Sequence, residues 1–356
     1  MATPVLEDLL ERGDRVPNFF LPDQRDVVIN LADKARGGPL FVLLFPTQKD
    51  PGAMAEFQAM VEAAPAMLDA GAHLFAICAD PIPLVQKLAE AHRPDFFVLS
   101  DTDKKTASRF GARGKLIGFV CDGNQRVMSV LKPGDTPITR RAADEIASME
   151  KATPTPAALH PPILVLPDVF SPDFCKWLIE QFETRGNEPS GTLRMSEGQM
   201  VHDTSGQNKR RRDHHVVDKD LLDTIGSRIE RRVLPEIQRA FHCPIRFVEE
   251  FKIVRYDADV GGFFRPHRDN TSVGTAHRRF AMTLNLNTED HEGGELRFPE
   301  YGQASYRPRT GEAAIFSCNL LHEATDVTKG KRYVLLSFMY DETGRQIMEK
   351  MRQARA

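Results

Sequence analysis

One stretch limits what this chain can fold into more than any other: residues 151–162, "KATPTPAALHPP". Its four prolines lack backbone donors and bias the residue before each toward extended conformations, so neither a helix nor a central strand can run through it. Cores must therefore form on either side. A length of 356 residues suits that division, at roughly 150 residues per domain. We expect a first domain over 1–150, a linker over 151–162 and a second domain over 163–345. No internal repeat is visible.

Before the linker, apolar runs alternate with helical spacing. "PLFVLLFP", "HLFAICAD" and "DFFVLSD" read as strands, while "GAMAEFQAMVEAAPAMLDAG", "PLVQKLAEAH" and "KTASRFG" read as helices. "KLIGFVCDGNQRVMSVL" predicts a hairpin turning at Asp122-Gly123-Asn124, and "TRRAADEIASMEK" a closing helix. The order is that of an α/β domain around a mixed sheet. After the linker the pattern changes to two helices, "SPDFCKWLIEQFETRG" capped by Ser171 and "DKDLLDTIGSRIERRVLPEIQRAF", followed by a series of short strands. Those strands are "RFVEEFKIVRYD", "RRFAMTLNLN", "GELRFPEYG", "AAIFSCN" and "KRYVLLSFMYD", which predicts an α+β domain whose sheet curls into a sandwich or barrel. Trp177 falls in an apolar helical stripe and is expected in the core.

A net charge of −3 gives no global field toward nucleic acid, so no nucleic-acid partner is expected. No apolar run approaches the ~20 residues of a membrane helix, and the acidic start "MATPVLEDLLERGD" is unlike a signal peptide; the expectation is a cytoplasmic protein with no membrane partner. Five cysteines, Cys78, Cys121, Cys175, Cys243 and Cys318, stand far apart without a C-x-x-C pair and read as buried small hydrophobes in a reducing compartment.

The chemistry concentrates around "FRPHRDN" at 264–270. On a strand, residues two apart share a face, so His267 and Asp269 can converge on one ion. His322, in "NLLHEATD", could add a third ligand from a neighbouring strand. Two histidines and one carboxylate on one face leave coordination positions open, the arrangement of non-haem Fe(II) oxygenases. Arg332 shares a strand face with Val334, Leu336 and Phe338, and an arginine on an apolar inward face needs a partner, best a bidentate carboxylate. Phe264 is expected to wall the pocket, with Arg265 and Arg268 at its entrance or in solvent. A basic run, "NKRRRDHH" at 208–215, is either a lid or patch for an acidic substrate or a solvated loop; His214 and His215 would point to opposite faces of a strand.

The run "RYDADVGGFFRPHRDN … LNLN … GGELRFPE … LLHEATDVTKGKRYVLLSF" resembles the 2-oxoglutarate and Fe(II)-dependent dioxygenases of the prolyl 4-hydroxylase type, over roughly residues 163–342. The resemblance implies a double-stranded β-helix core, iron held by His267, Asp269 and His322, and the distal carboxylate of 2-oxoglutarate on Arg332. It also implies co-substrate contacts from Tyr256 and Asn285, use of O2, release of succinate and carbon dioxide, and a role for ascorbate. The substrate it implies is a prolyl residue of a protein or peptide, with a free amino acid or other small molecule as rival; a non-catalytic iron or 2-oxoglutarate sensor is the alternative to an enzyme.

The first half resembles the peroxiredoxin branch of the thioredoxin fold, from "GDRVPNFFLPD" through "DFFVLSDTDKKTASRFGA" to the hairpin. In that family the strand leads into P-x-x-x-T-x-x-C. Here Pro46 is followed by Asp50 at the threonine position and Ala53 at the cysteine position, with Glu56 where a family glutamate often follows. Without a thiolate there is no peroxidatic nucleophile. Neither Cys78 nor Cys121 replaces it, since both lie in expected strands. A peroxidase-silent domain used for scaffolding, homodimerisation or partner binding is the expectation.

Overall fold

The computed structural model describes residues 9–35, 37–149, 159–190, 192–196, 199–203 and 207–353. Most of the proline-rich stretch, 151–158, lies outside the described residues. The chain divides into two compact units whose boundary falls between residues 155 and 156. Among the described residues no helix is long and apolar enough to cross a membrane.

The first unit is a five-stranded mixed sheet in the spatial order Phe97–Ser100, His73–Cys78, Leu40–Phe45, Ile117–Cys121, Val127–Leu131. The first three strands run parallel and the last two antiparallel. Leu40–Phe45 is buried along its whole length because it is central and covered on both faces, which explains its unbroken apolar run. Phe41, Leu43 and Phe45 pack against the helices Pro51–Asp69 and Ile138–Ser148, while Leu40, Val42 and Leu44 face a second cluster with Phe19, Phe110 and Phe119. A small ribbon of Phe20–Pro22 against Val28–Asn30 was not anticipated, its strands being only three residues each.

The second unit is built on a nine-stranded sheet and a five-stranded sheet. The longest strand, Val327–Tyr340, pairs on one side with Lys252–Asp257 and on the other with Phe280–Asn285. Its alternation separates two environments: Tyr333, Leu335 and Met339 join the core beneath the helices, and Val334 packs with Tyr256 and Ala324 on the opposite face. The smaller sheet runs Lys209–Arg210, Phe263–His267, His322–Ala324, Leu296–Arg297, Ser305–Tyr306. Two sheets of antiparallel strands closing on a common interior form the expected jelly-roll, with helices on the outer face of the larger sheet.

Helix Pro172–Thr184 is capped by Ser171, whose Oγ accepts from the Phe174 amide, and Trp177 packs on the core with its ring stacked on Phe174. The single helix expected over 218–241 is two, Lys219–Arg232 and Leu234–Phe241. Pro235 is the reason: it has no amide to donate and its ring opposes the carbonyl four residues back, so the chain restarts at Leu234. A closing helix, Glu342–Gln353, was also not anticipated. Cys78, Cys121, Cys175 and Cys318 are buried free thiols, while Cys243 is half-buried.

Candidate metal centre

Three ligands converge inside the second unit. The ligating atoms of His267, Asp269 and His322 all lie within 4.8 Å of one another. His322 opens the strand His322–Ala324 and stands directly opposite His267 in the antiparallel register, their rings 4.3 Å apart. Asp269 completes the set from a different local structure than expected: the strand Phe263–His267 ends at the histidine, so the strand pleat does not place Asp269. Instead, its amide donates to the Cys318 carbonyl (3.1 Å), turning the carboxylate back onto both imidazoles. A register shift between Phe264 and His267 accompanies Pro266, which cannot donate to the ladder, and re-aims the histidine.

The imidazoles are oriented by their other nitrogen. His267 Nδ1 bonds the Arg265 carbonyl (2.8 Å) and His322 Nδ1 the Leu320 carbonyl (3.0 Å). A carbonyl only accepts, so each Nδ1 carries the proton and each Nε2 presents a lone pair inward. Those Nε2 atoms sit 3.4 and 3.3 Å from the two oxygens of Asp269. Burial pushes the His322 imidazole below its ordinary range, which favours the neutral form that binds metal. Burial alone would raise the Asp269 carboxyl, but the neighbouring imidazoles and Arg278 outweigh it and hold it below the usual carboxylate range. Two imidazole nitrogens and one carboxylate oxygen, joined among the described residues by no further His, Cys, Asp or Glu, fit a divalent first-row metal with open positions.

Around this point lies a cavity of about 790 Å³, walled by Phe264, Phe316, Leu336 and Phe338 among others. Phe264 stacks on His267, ring centroids 3.5 Å apart. Arg332 lines the cavity while almost wholly buried. Tyr256 is its cross-strand partner, with the guanidinium 5.3 Å from the ring centre. Gly294 makes room for the arginine: a Cβ there would lie 2.7 Å from Arg332 Cδ, and its φ of +70° lies in the left-handed region that favours glycine. Asn285 does not line the cavity; it sits behind, where its Oδ1 accepts from Arg332 (3.3 Å) and its amide group donates to the Pro308 carbonyl. It therefore braces the arginine and, in this geometry, does not face a co-substrate as the resemblance implies.

The basic run at 208–215 is neither a lid nor a solvated loop, but the strands Lys209–Arg210 and Arg212–His215. Lys209, Arg211, Asp213 and His215 line the cavity, whereas Arg210 bonds the Val260 carbonyl and His214 the Gly186 carbonyl, each outside it. Among the described residues seven lysines and arginines line the cavity, and five are ion-paired: Arg211 with Asp213, Lys252 with Glu250, Arg265 with Asp326, Arg268 with Glu300 and Arg278 with Glu249. Among the described residues Arg332 and Lys209 have no carboxylate partner. Burial, with Arg211 adding to it, pushes the Lys209 amine down to about 7. Arg278 was missed at sequence level, since its neighbours in "HRRF" give no sign that it reaches the Asp269 carbonyl or stacks 3.6 Å from the centre of Phe338.

Residues 251–340 match the family model of the 2OG-Fe(II) oxygenase superfamily. The second half carries a domain of that superfamily. The family implies Fe(2+), 2-oxoglutarate and O2. Residues 12–136 match the AhpC/TSA family, so the first half is a peroxiredoxin-like thioredoxin fold. Among relatives, the rat multifunctional procollagen lysine hydroxylase and glycosyltransferase is 34% identical over 103 residues, covering 28% of this chain and only 13% of the rat protein. Peroxiredoxin Bcp of Escherichia coli is 29% identical over 120 residues, 33% of this chain and 76% of that protein. Of solved structures, a Pseudomonas putida prolyl-4-hydroxylase aligns with 50% of this chain and 92% of its own at 16% identity and a TM-score of 0.40.

In the first half Asp50 and Ala53 do stand at a helix start. Asp50 Oδ1 accepts from the amides of Gly52 (2.8 Å) and Ala53 (3.1 Å), capping Pro51–Asp69, and the Ala53 side chain is fully buried. Glu56 reaches across to the next helix, where its carboxylate accepts from Ile138 and Thr139 amides (2.8 and 3.0 Å) and so caps Ile138–Ser148. Burial pushes the Cys78 thiol up to about 12 and the Cys121 thiol up as well, which leaves neither as a thiolate at neutral pH.

Proposed function

We propose that the second half is an Fe(II)- and 2-oxoglutarate-dependent hydroxylase, with His267, Asp269 and His322 holding the iron and Arg332 the distal carboxylate of 2-oxoglutarate. The observation that supports it is the meeting, in one cavity, of an inward-facing two-histidine, one-carboxylate set and a buried arginine without a carboxylate partner. When bound, iron supplies oxygen activation coupled to decarboxylation of 2-oxoglutarate to succinate and carbon dioxide, with one oxygen atom entering a substrate C–H bond.

The chain's own residues supply position and environment. The Arg265 and Leu320 carbonyls fix both histidine tautomers. Asn285 and Gly294 set the reach of Arg332, whose guanidinium matches a carboxylate bidentately. Phe264, Phe316 and Phe338 keep water from the reacting centre. A lysyl residue of a protein or peptide is the substrate that the procollagen lysine hydroxylase relative favours, with the prolyl residue implied by the sequence resemblance and a free amino acid as rivals. The first half we assign no peroxidase turnover, on the ground that Ala53 stands where the nucleophile is needed.

The test is succinate formation from 2-oxoglutarate by anaerobically reconstituted Fe(II) protein, with and without ascorbate and lysate peptides. Succinate no greater than that of a His267→Ala control would overturn the reading.

A further inference from the structure

Positive charge in the cavity is left unbalanced at one point. Among the described residues five of its seven lysines and arginines are matched by carboxylates, and the proposed function gives Arg332 the distal carboxylate of 2-oxoglutarate. Lys209 remains. It lies opposite Phe264 in the ladder, its Nζ 5.3 Å from the ring centre, and the other side of the site is close because Phe264 stacks on His267. Lys209 and the ligand His267 thus both pack against the Phe264 ring.

Among the described residues no carboxylate forms an ion pair with it. Asp213 is committed to Arg211 and to the Ser190 hydroxyl, and Asp269 to the two imidazoles. Arg211 donates to the Tyr256 hydroxyl and only adds positive charge. In the loaded site a divalent cation, Asp269, the two carboxylates of 2-oxoglutarate and Arg332 cancel, and of the described charges lining the cavity Lys209 and Glu188 are left over, the latter largely exposed and 3.7 Å from His215 Nε2. Burial holds the Lys209 amine down to about 7, and an anion bound beside it would keep it as the ammonium and return a charge-assisted hydrogen bond.

We propose that Lys209 is the anion subsite for the substrate: the molecule oxidised carries a carboxylate that seats on Lys209 beside Phe264. The carboxylate belongs either to an acidic residue of a peptide or to the α-carboxyl of a free amino acid. The inference rests on the iron and 2-oxoglutarate reading above and adds the charge class of the substrate to it.

The experiment uses full-length protein loaded with Mn(II) and 2-oxoglutarate, which binds without turnover, and calorimetric titration with matched probes. These are the peptides Gly-Pro-Glu and Gly-Lys-Glu as C-terminal amides against their glutamine counterparts, and free proline and lysine against their amides. The wild type is expected to bind the anionic member of at least one pair about tenfold more tightly, and the pair concerned identifies the source of the carboxylate. Lys209→Met should erase that preference while 2-oxoglutarate affinity and the circular dichroism spectrum stay unchanged, and Lys209→Arg should keep it. The subsite is overturned if no pair differs in the wild type, if Lys209→Met retains the preference, or if its loss falls on 2-oxoglutarate. Failure of the Mn(II) protein to bind 2-oxoglutarate, seen before any probe is added, overturns the parent reading and the subsite with it.

Discussion

The two halves treat buried charge in opposite ways. In the first, four buried carboxylates are turned onto the protein's own backbone: Asp23 accepts from Arg25 and Val27 amides, Glu56 from Ile138 and Thr139, Asp80 from Gln48, and Asp101 from Thr106 and Ala107. These groups hold turns and helix starts together and leave nothing pointing at a ligand. In the second, Asp269 faces two imidazoles with their lone pairs inward, and Arg332 faces an open cavity. Burial alone does not mark a site. Donors and acceptors that converge on space, with their structural bonds made elsewhere, do.

That contrast can be broken, and the largest effect should come from the ligands. His267→Ala or Asp269→Ala is expected to lower succinate formation at least ~1000-fold and to weaken metal binding, because two ligands do not hold the ion. Metal content after dialysis and single-turnover assays check it; near-normal iron retention in either variant would remove the triad. Next, Arg332→Met should raise the Kd for 2-oxoglutarate about 100-fold with little loss of stability, since it removes a buried charge that has no carboxylate partner among the described residues. An unchanged Kd would mean that the co-substrate sits elsewhere.

Asp213→Asn should be felt in folding before chemistry. It leaves Arg211 buried without its counter-ion, and a cost of ~3 kcal/mol in urea unfolding is expected. The Asp213 carboxyl would be raised by burial, but Arg211 and the Ser190 hydroxyl hold it below the ordinary value. Because the folded state keeps it ionised more strongly than the unfolded chain does, its contribution is complete above the unfolded value, ~3.9, and fades as pH falls through the folded one. The variant should therefore lose the corresponding acid dependence; an acid midpoint identical to wild type would contradict this.

In the first half the expected effects are small. Asp50→Ala removes a helix cap, about 1 kcal/mol of that unit's stability, while succinate formation stays as in wild type. Hydrogen peroxide consumption by the full chain with thiol reductant should not exceed the non-enzymatic rate. Peroxide turnover above it would show that a cysteine other than one at position 53 serves, and would end the contrast between the halves.

Much of this was legible before the structure. The apolar runs of the first half are strands because a central parallel strand is buried on both faces, and composition reports that directly. The face shared by Arg332, Leu336 and Phe338 followed from strand alternation. What was not legible depended on partners far along the chain. Nothing local distinguishes Lys209 from Arg210, yet one lines the cavity and the other bonds the Val260 carbonyl. Arg278 gains its place from Glu249 and Phe338, and Asn285 its bracing role from Arg332.

Sequence by itself determined the division at the prolines, the alternation of the strands and the order of His267, Asp269, His322 and Arg332, because backbone geometry acts over a few residues. Tertiary structure alone decided that His267 faces His322 in register, that Asp269 is turned inward by the Cys318 carbonyl, and that Lys209 has no counter-ion among the described residues. Electrostatics and hydrogen bonding depend on distance through space, and only the closing of the two sheets sets those distances.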